Sequence, residues 1–143
     1  MFRLLVLLFL ALHVNAGELF KESRYIYAID KTLEYEGEIT FKKSSVEIAY
    51  TKPKEEKIIY LEDDENRQKR AYFMILKAIY SEDITLLKEF FEMKEEESKT
   101  LLLPFGVLGD YMRQVEFKKV GRDLEYLKIQ MQNEDWIEIE TIR

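Results

Sequence analysis

Two segments in the first half of the chain alternate between apolar and polar residues, which is typical of a half-buried antiparallel strand. The second of them, Val46–Tyr50, is followed by Pro53, which ends it because proline cannot donate to a sheet ladder. A short apolar run, Ile58–Leu61, predicts a further strand, whereas the spacing in Arg24–Ile29 fits either a strand or a helical turn. The first alternating segment is Leu33–Lys42, with one face formed by Leu33, Tyr35, Ile39 and Phe41.

The middle of the chain has helical spacing. Arg67–Tyr80 is predicted to be a helix, and Asp63–Asn66 before it places negative charge where a helix N-terminus favours it. Within this helix, Ala71–Leu76 is apolar on every side, whereas a surface helix normally has a polar face. We therefore expect the helix to pack between two apolar surfaces. A second, shorter helix is predicted at Ile84–Phe91.

The second half of the chain returns to strands, because short apolar runs alternate again with turns and a glycine-containing loop. This order of strands, two helices and further strands predicts an α+β fold with a meandering antiparallel sheet. The lack of a linker or an internal repeat in the sequence predicts a single domain. The strands predicted here are Glu92–Glu97, Thr100–Leu103, Val115–Val120, Leu124–Gln132 and Trp136–Ile142, with a loop at Gly106–Tyr111.

The N-terminal segment, Met1–Ala16, has the pattern of a secretory signal peptide. Its apolar run, Leu4–Leu12, is much shorter than the ~20 residues that a membrane-spanning helix needs. Val14 and Ala16 occupy the positions before the expected cleavage site. We therefore expect export to the periplasm, cleavage after Ala16 and one mature domain at Gly17–Arg143.

The composition excludes several classes of function. The chain has no cysteine, its one histidine is His13 in the predicted signal peptide, and its formal net charge is −6. These counts exclude Ser-His-Asp and Cys-His catalysis, disulfides and zinc sites of the usual His/Cys kind from the mature chain. The acidic balance argues against nucleic-acid binding. The acidic run Glu62–Glu65 lacks the ligand spacing of a calcium loop, and no carboxylate pair is marked as catalytic. We expect no metal, no cofactor and no enzymatic activity.

The apolar positions point instead to binding. The apolar strand faces are rich in Tyr, Phe, Leu, Ile and Met, and the helix predicted to cover them is apolar all round. A tightly packed core accounts for this pattern. A concave, mostly apolar ligand cavity accounts for it as well, because the second apolar side of the helix then also has something to contact.

Four segments carry a resemblance to a known family. A glycine, a strand and a basic pair form Gly37–Lys43, and a strand that ends in Tyr and Pro follows at Ile48–Pro53. Ala78–Phe90 has the pattern of a lid segment, Leu101–Pro104 is a leucine-rich strand that ends in proline, and the final hairpins follow at 115–139. In order and spacing these segments resemble the periplasmic outer-membrane lipoprotein carriers, the LolA-like family.

The resemblance implies an antiparallel half-open β-barrel, formed by a meandering curved sheet, with lid helices covering its concave face. The cavity between them would hold lipoprotein acyl chains, received from an inner-membrane release complex and passed to an outer-membrane acceptor. Where the family has an Arg-Pro pair after the first strand, this chain has Lys43-Ser44. Lys43 is therefore the candidate for the lid latch, although lysine is a point charge without the fork of donors that arginine offers.

We therefore expect a monomeric periplasmic carrier or chaperone that binds lipoprotein acyl chains and serves outer-membrane lipoprotein localisation. Two alternatives stay open: a carrier of another lipid-like ligand, and a non-catalytic envelope protein-interaction module. The apolar residues expected to line the cavity are Phe41, Ile48, Tyr50, Met74, Ile75, Ile79, Leu86, Phe90, Leu103, Ile129 and Ile139.

Overall fold

The computed structural model describes residues 17–81, 84–121 and 123–141, so the predicted signal peptide lies outside the described residues. Two α-helices are present in these ranges, α1 at Arg67–Ser81 and α2 at Ile84–Phe90, together with 3-10 turns at Tyr27–Ile29 and Gly106–Asp110. The strands are β1 Glu18–Ile26, β2 Lys31–Phe41, β3 Ser45–Lys52, β4 Glu56–Leu61, β5 Phe91–Glu95, β6 Thr100–Pro104, β7 Met112–Val120, β8 Asp123–Met131 and β9 Trp136–Thr141.

All nine strands form one antiparallel, curved and open sheet in the order β4-β3-β2-β1-β9-β8-β7-β6-β5. The order consists of two meanders, β1 to β4 and β5 to β9, which are joined where β1 pairs with β9. The helices connect β4 to β5, the two edge strands of the sheet. The predicted antiparallel α+β fold is confirmed at this level, and the nine strands are the eight predicted segments together with β1.

Arg24–Ile29, whose spacing fits either a strand or a helical turn, is divided between β1 and the 3-10 turn that follows it. Residues 24–26 end that strand, and residues 27–29 form a 3-10 turn before β2. β1 pairs with β2 on one side, where Phe20 lies opposite Gly37, and with β9 on the other, where Phe20 lies opposite Thr141. A segment that sequence spacing leaves undecided therefore ends an interior strand of the sheet, which lies next to the central strand β9.

The core lies between the concave face of the sheet and helix α1. In β3 the buried residues are every second one, Val46, Ile48 and Tyr50, as the alternation predicts. The same alternation buries Leu127 and Ile129 in β8. Both meanders therefore contribute to one core, which α1 covers.

Helix α1 begins and packs in a way that its sequence partly predicts. The Oδ1 atom of Asn66 accepts hydrogen bonds from the backbone N–H groups of Gln68 and Lys69, at 3.0 and 3.2 Å, so Asn66 is the N-cap. Phe73, Ile75 and other residues of the apolar segment are buried although they project in different directions, as expected for a helix packed on more than one side. Neither helix in the described ranges is long and apolar enough to cross a membrane.

Candidate ligand-binding site

Three of the hollows formed by the described residues lie against helix α1. The first, which we call the inner cavity, has a volume of about 160 Å³ and lies between α1 and the concave face of the sheet. Its lining is apolar except for two charged residues from β1 and two tyrosines. The lining residues are Glu22, Arg24, Ile48, Ile58, Tyr60, Tyr72, Leu76, Ile129, Ile137 and Ile139.

The charged residues of the inner cavity form a hydrogen-bonded cluster with Tyr50. The Nε atom of Arg24 donates to a carboxylate oxygen of Glu22 at 2.6 Å, and its Nη2 atom donates to the Tyr50 hydroxyl at 2.7 Å. The Tyr50 hydroxyl in turn donates to the Glu22 carboxylate, whose two oxygens both lie 3.1 Å away. The guanidinium of Arg24 also lies 4.4 Å from the centre of the Tyr35 ring, within the range of a cation–π contact.

The alternation of β1 places this cluster inside the sheet. Phe20 and Glu22 occupy inward positions and are buried, and Arg24 is the next residue on the same face. Opposite them, Gly37 permits a close approach between β2 and β3. A Cβ atom at Gly37 would lie 2.5 Å from the carbonyl oxygen of Ala49 and 3.0 Å from the Cα atom of Tyr50.

Burial changes the proton affinities of the cluster. It raises the pKa of Glu22, and this effect outweighs the opposing attraction of Arg24. Burial also raises the pKa of Tyr50 and of Tyr60, and raises the pKa of Tyr72 to about 12. At neutral pH the tyrosines are therefore neutral hydroxyls that can donate a hydrogen bond, set beside the Glu22–Arg24 pair in an otherwise apolar cavity.

The second hollow, which we call the hairpin cleft, has a volume of about 640 Å³. Its floor is apolar and comes from α1, α2, β5 and β7, through Ala78, Ile79, Leu87, Met93 and Phe117. Its rim is polar and charged, and includes the β5–β6 turn at 95–99 together with Lys118 and Lys119. An apolar floor below a charged rim suits a ligand with an apolar body and a polar end.

The third hollow, which we call the arginine groove, has a volume of about 330 Å³. Ala71, Met74, Phe90 and Leu108 supply apolar lining, and Arg67 and Arg70 of α1 also line it. Three further lining residues are largely exposed apolar or aromatic side chains of the loop between β6 and β7: Phe105, Val107 and Tyr111.

The apolar residues predicted to line one cavity are distributed over these three hollows, the core and the outer face of the sheet. Ile48, Ile129 and Ile139 line the inner cavity, beside which Tyr50 is buried. Ile79 lines the hairpin cleft. The remaining predicted residues with described side chains lie elsewhere: Met74 and Phe90 line the arginine groove, Ile75 is fully buried in the core and Phe41 is half-buried against it.

Of the two remaining predicted residues, Leu103 and Leu86, only Leu103 has a described side chain. Leu103 does not share the concave face, because it is adjacent in β6 to Leu102, which is buried there, and successive residues of a strand point to opposite faces. The half-buried Leu103 therefore belongs to the outer face of the sheet. The side chain of Leu86 lies outside the described part of the structure.

Helix α1 contacts the β2–β3 turn through a cation on the helix, whereas the predicted latch places the cation at Lys43 in the turn. The side chain of Lys43 is exposed, and the turn contributes backbone carbonyl oxygens instead. The ammonium group of Lys77, on α1, donates to the carbonyl oxygen of Lys42 at 3.2 Å and also to that of Lys43. The cation of this contact is therefore on the helix, and the residue at 43 takes part through its main chain.

Sequence reasoning missed the polar residues of the inner cavity. Glu22, Arg24, Tyr60 and Tyr72 all line it, and none of them was expected there. The available signal was the period-two spacing of Phe20, Glu22 and Arg24. It was not recognised because charged residues usually mark the solvent face of a strand.

Comparisons with known proteins add no family to this description. No protein-family model matches the chain, and no curated protein sequence matches it. The LolA-like resemblance therefore stays a prediction that depends on the four sequence segments that carry it.

Proposed function

We propose that the protein is a periplasmic carrier that binds lipoprotein acyl chains in the apolar space between its helices and the concave face of its sheet. The observation that carries the proposal is the hairpin cleft, a hollow of about 640 Å³ with an apolar floor and a charged rim. Ligand sites commonly have volumes of about 300–1,000 Å³ and a mostly apolar lining. Transfer of each buried methylene from water to such a site is favourable by about 0.8 kcal/mol.

In this proposal helix α1 is the lid. It covers the concave face, and its contacts with the sheet include the Lys77 bonds to the β2–β3 turn and a weak contact of 4.0 Å between the Tyr72 hydroxyl and the Met131 sulfur. Capture and release require an open state that lies only a few kcal/mol above the closed one, so the opening must be local and leave most buried residues of α1, such as Phe73 and Ile75, in place.

The first experiment identifies the bound molecule. The full chain is expressed with its N-terminal segment, purified without detergent from the periplasmic fraction, and examined by native mass spectrometry. We expect a mature chain that begins at Gly17, with an additional mass that organic extraction identifies as an acylated molecule. A chain that retains Met1–Ala16 contradicts the predicted export. A ligand without an acyl chain favours a carrier of another lipid-like molecule.

The second experiment tests the location of the site with a fluorescent acyl probe. Met93→Glu places a charge on the apolar floor of the hairpin cleft, and we expect it to weaken probe binding by about tenfold or more. Leu103→Glu is the matched control, because Leu103 lies on the outer face of the neighbouring strand. Lack of probe binding to the wild-type chain, or equal loss in the two variants, contradicts the proposal.

One feature of the structure argues against an interaction module that docks through helix α1. Docking through the apolar side of α1 needs exposed apolar residues, and Phe73, which would be central to such a surface, is only 3% exposed. Its ring instead contributes to the core, with the Lys77 ammonium 5.4 Å from its centre. The apolar side of this helix is therefore committed within the chain itself.

A further inference from the structure

We propose that the inner cavity binds the carbonyl oxygen of an acyl ester or amide, through the guanidinium of Arg24 and the hydroxyl of Tyr60. The inference depends on the proposed function, because it assigns a polar subsite to the acyl ligand. It names the class of ligand more narrowly: neutral acyl esters or amides, in preference to free fatty acids and to hydrocarbons.

The inner cavity contains hydrogen-bond donors that have no acceptor among the described residues. Arg24 uses Nε and Nη2 for Glu22 and Tyr50, and within residues 17–81, 84–121 and 123–141 its Nη1 atom has no acceptor. The Tyr60 hydroxyl likewise has no hydrogen-bond partner among the described residues. Both side chains line the inner cavity. Neither donor is fully buried, because no fully buried side-chain nitrogen or oxygen of the described residues lacks a partner, so water reaches both groups. A carbonyl oxygen that displaces this water accepts from both donors against a largely apolar lining, where hydrogen bonds are stronger than in water.

The charges of the Glu22–Arg24 pair favour a neutral ligand group over an anionic one. Glu22 and Arg24 are in contact, so their charges sum to zero, and the Glu22 carboxylate also lines the cavity. A second carboxylate would be attracted by Arg24 but repelled by Glu22. A neutral carbonyl oxygen accepts the same hydrogen bonds without that repulsion. The cluster therefore selects a neutral acceptor.

The volume and lining of the inner cavity suit a carbonyl group and its first methylenes. A volume of about 160 Å³ corresponds to about five water molecules at ~30 Å³ each, enough for a carbonyl group and its first methylenes. The remaining lining is aliphatic, from Ile48, Leu76 and Ile129 among others, and suits those methylenes.

The Tyr60 ring packs against the Tyr72 ring independently of its own hydroxyl. The rings of Tyr60, on β4, and Tyr72, on α1, are 5.9 Å apart and tilted by 48°. Their contact packs the Tyr60 ring without using its hydroxyl, which therefore stays available to an acceptor. Because the ring contact is independent of the hydroxyl, the hydroxyl can be removed without removing the packing.

The test is the variant Tyr60→Phe, probed with ligands of equal chain length. A fatty-acid methyl ester, the free fatty acid and the n-alkane compete with a fluorescent acyl probe. For the wild-type chain we expect the ester to bind more tightly than either of the others. In Tyr60→Phe we expect the ester affinity to fall by about three- to tenfold, the value of one hydrogen bond, and the alkane affinity to be unchanged.

Urea unfolding and infrared spectroscopy distinguish a loss of ligand binding from a loss of folded structure. Tyr60→Phe removes no hydrogen bond between described residues, so its urea unfolding midpoint is expected to match that of Tyr27→Phe, which removes an exposed hydroxyl. A ¹³C-labelled ester carbonyl should absorb at a lower infrared frequency on the wild-type protein than on Tyr60→Phe. Equal ester-to-alkane ratios in the two proteins overturn the inference and leave the acyl site intact. Displacement of the probe by none of the ligands overturns the proposed function itself.

Discussion

At the scale of single residues, the buried pair in β1 is the least expected feature of the protein. Glu22 is only 4% exposed, and burial of a charge is tolerated only when its partner and hydrogen bonds are in place. Here the guanidinium of Arg24 and the hydroxyl of Tyr50 supply them. The cluster therefore depends on all three groups together, and it is most vulnerable to loss of the cation.

Arg24→Met tests this dependence. The variant leaves the Glu22 carboxylate buried without its cation, and we expect the free energy of unfolding at pH 7 to fall by about 2–4 kcal/mol, a range lowered because Arg24 is itself partly exposed. Urea denaturation measures the change. The control is Arg113→Met, which removes an exposed ion pair with Glu134 and should cost less than about 1 kcal/mol.

The same variant has a defined pH dependence. Burial already raises the pKa of Glu22 in the folded wild-type protein, so the folded state holds this proton more tightly than the unfolded chain. The contribution of Glu22 to stability is therefore greatest below the unfolded pKa of about 4.3 and is lost as the pH rises through the folded value. Removal of Arg24 raises the pKa further, so its cost should grow from pH 4 to pH 8. A cost that is constant over this range contradicts the assignment.

Gly37 tests the close approach of β2 to β3. Gly37→Ala places a Cβ atom 2.5 Å from the carbonyl oxygen of Ala49, so one strand must shift. We expect a loss of about 1–3 kcal/mol in the free energy of unfolding, typical of an overpacked core. In Gly109→Ala the nearest heavy atom to the new Cβ is 3.4 Å away, so that control should change stability little. Equal midpoints in urea for the two variants contradict the argument.

At the scale of elements, alternation predicts the strands whose inward residues are all apolar. β3 is an example, because Val46 and Ile48 lie inside while Glu47 lies outside. The alternation fails for β1, whose residues 21–24 include three charges and one serine and give no apolar face. The inward position of Glu22 becomes apparent only when β1 is paired with both neighbours, which is tertiary information.

Helix α1 has a specific fastening to the sheet at Lys77, which a single substitution can test. Lys77→Met removes the donor to the carbonyl oxygens of Lys42 and Lys43 but keeps an apolar stem. We expect a loss of about 1 kcal/mol or less in overall stability, together with faster amide hydrogen exchange over residues 71–79. The exchange rates report opening of the helix more directly than the unfolding midpoint.

The control for this prediction is Lys69→Met on the first turn of the same helix. The Lys69 side chain is exposed and forms no hydrogen bond or ion pair with another described residue. Its removal should leave exchange over residues 71–79 unchanged. If both variants accelerate exchange equally, the effect comes from the loss of a surface charge, and the Lys77 bonds do not fasten the helix.

At the scale of the whole molecule, the two meanders are joined by a contact between the ends of the described chain. β1 and β9 pair over six residues, from Phe20 opposite Thr141 to Tyr25 opposite Trp136. Local spacing predicts the hairpins within each meander, but this pairing has a sequence separation of more than one hundred residues and leaves no periodic signal. The division of the inner cavity between both meanders follows from it, so the site was less predictable than the strands that form it.

The topology also leaves two edge strands, β4 and β5, whose unpaired backbone groups could pair with another chain. On the outer face of β5, exposed Glu92 and Lys94 lie opposite Leu103 and Leu101 of β6. Charged side chains on an edge strand oppose association because pairing would bury them. These two charges therefore favour the monomer predicted for the chain.

Removal of both edge charges tests the argument. The double variant Glu92→Val/Lys94→Val creates a continuous apolar surface with Leu101 and Leu103, and we expect it to associate as its concentration rises. Light scattering coupled to size-exclusion chromatography measures the mass. The matched control, Glu138→Val/Glu140→Val, removes two outer charges from β9 at the centre of the sheet, where both edges are already paired, and should remain monomeric. If the wild-type chain is a dimer, or if both variants associate equally, the edge charges do not determine the oligomeric state.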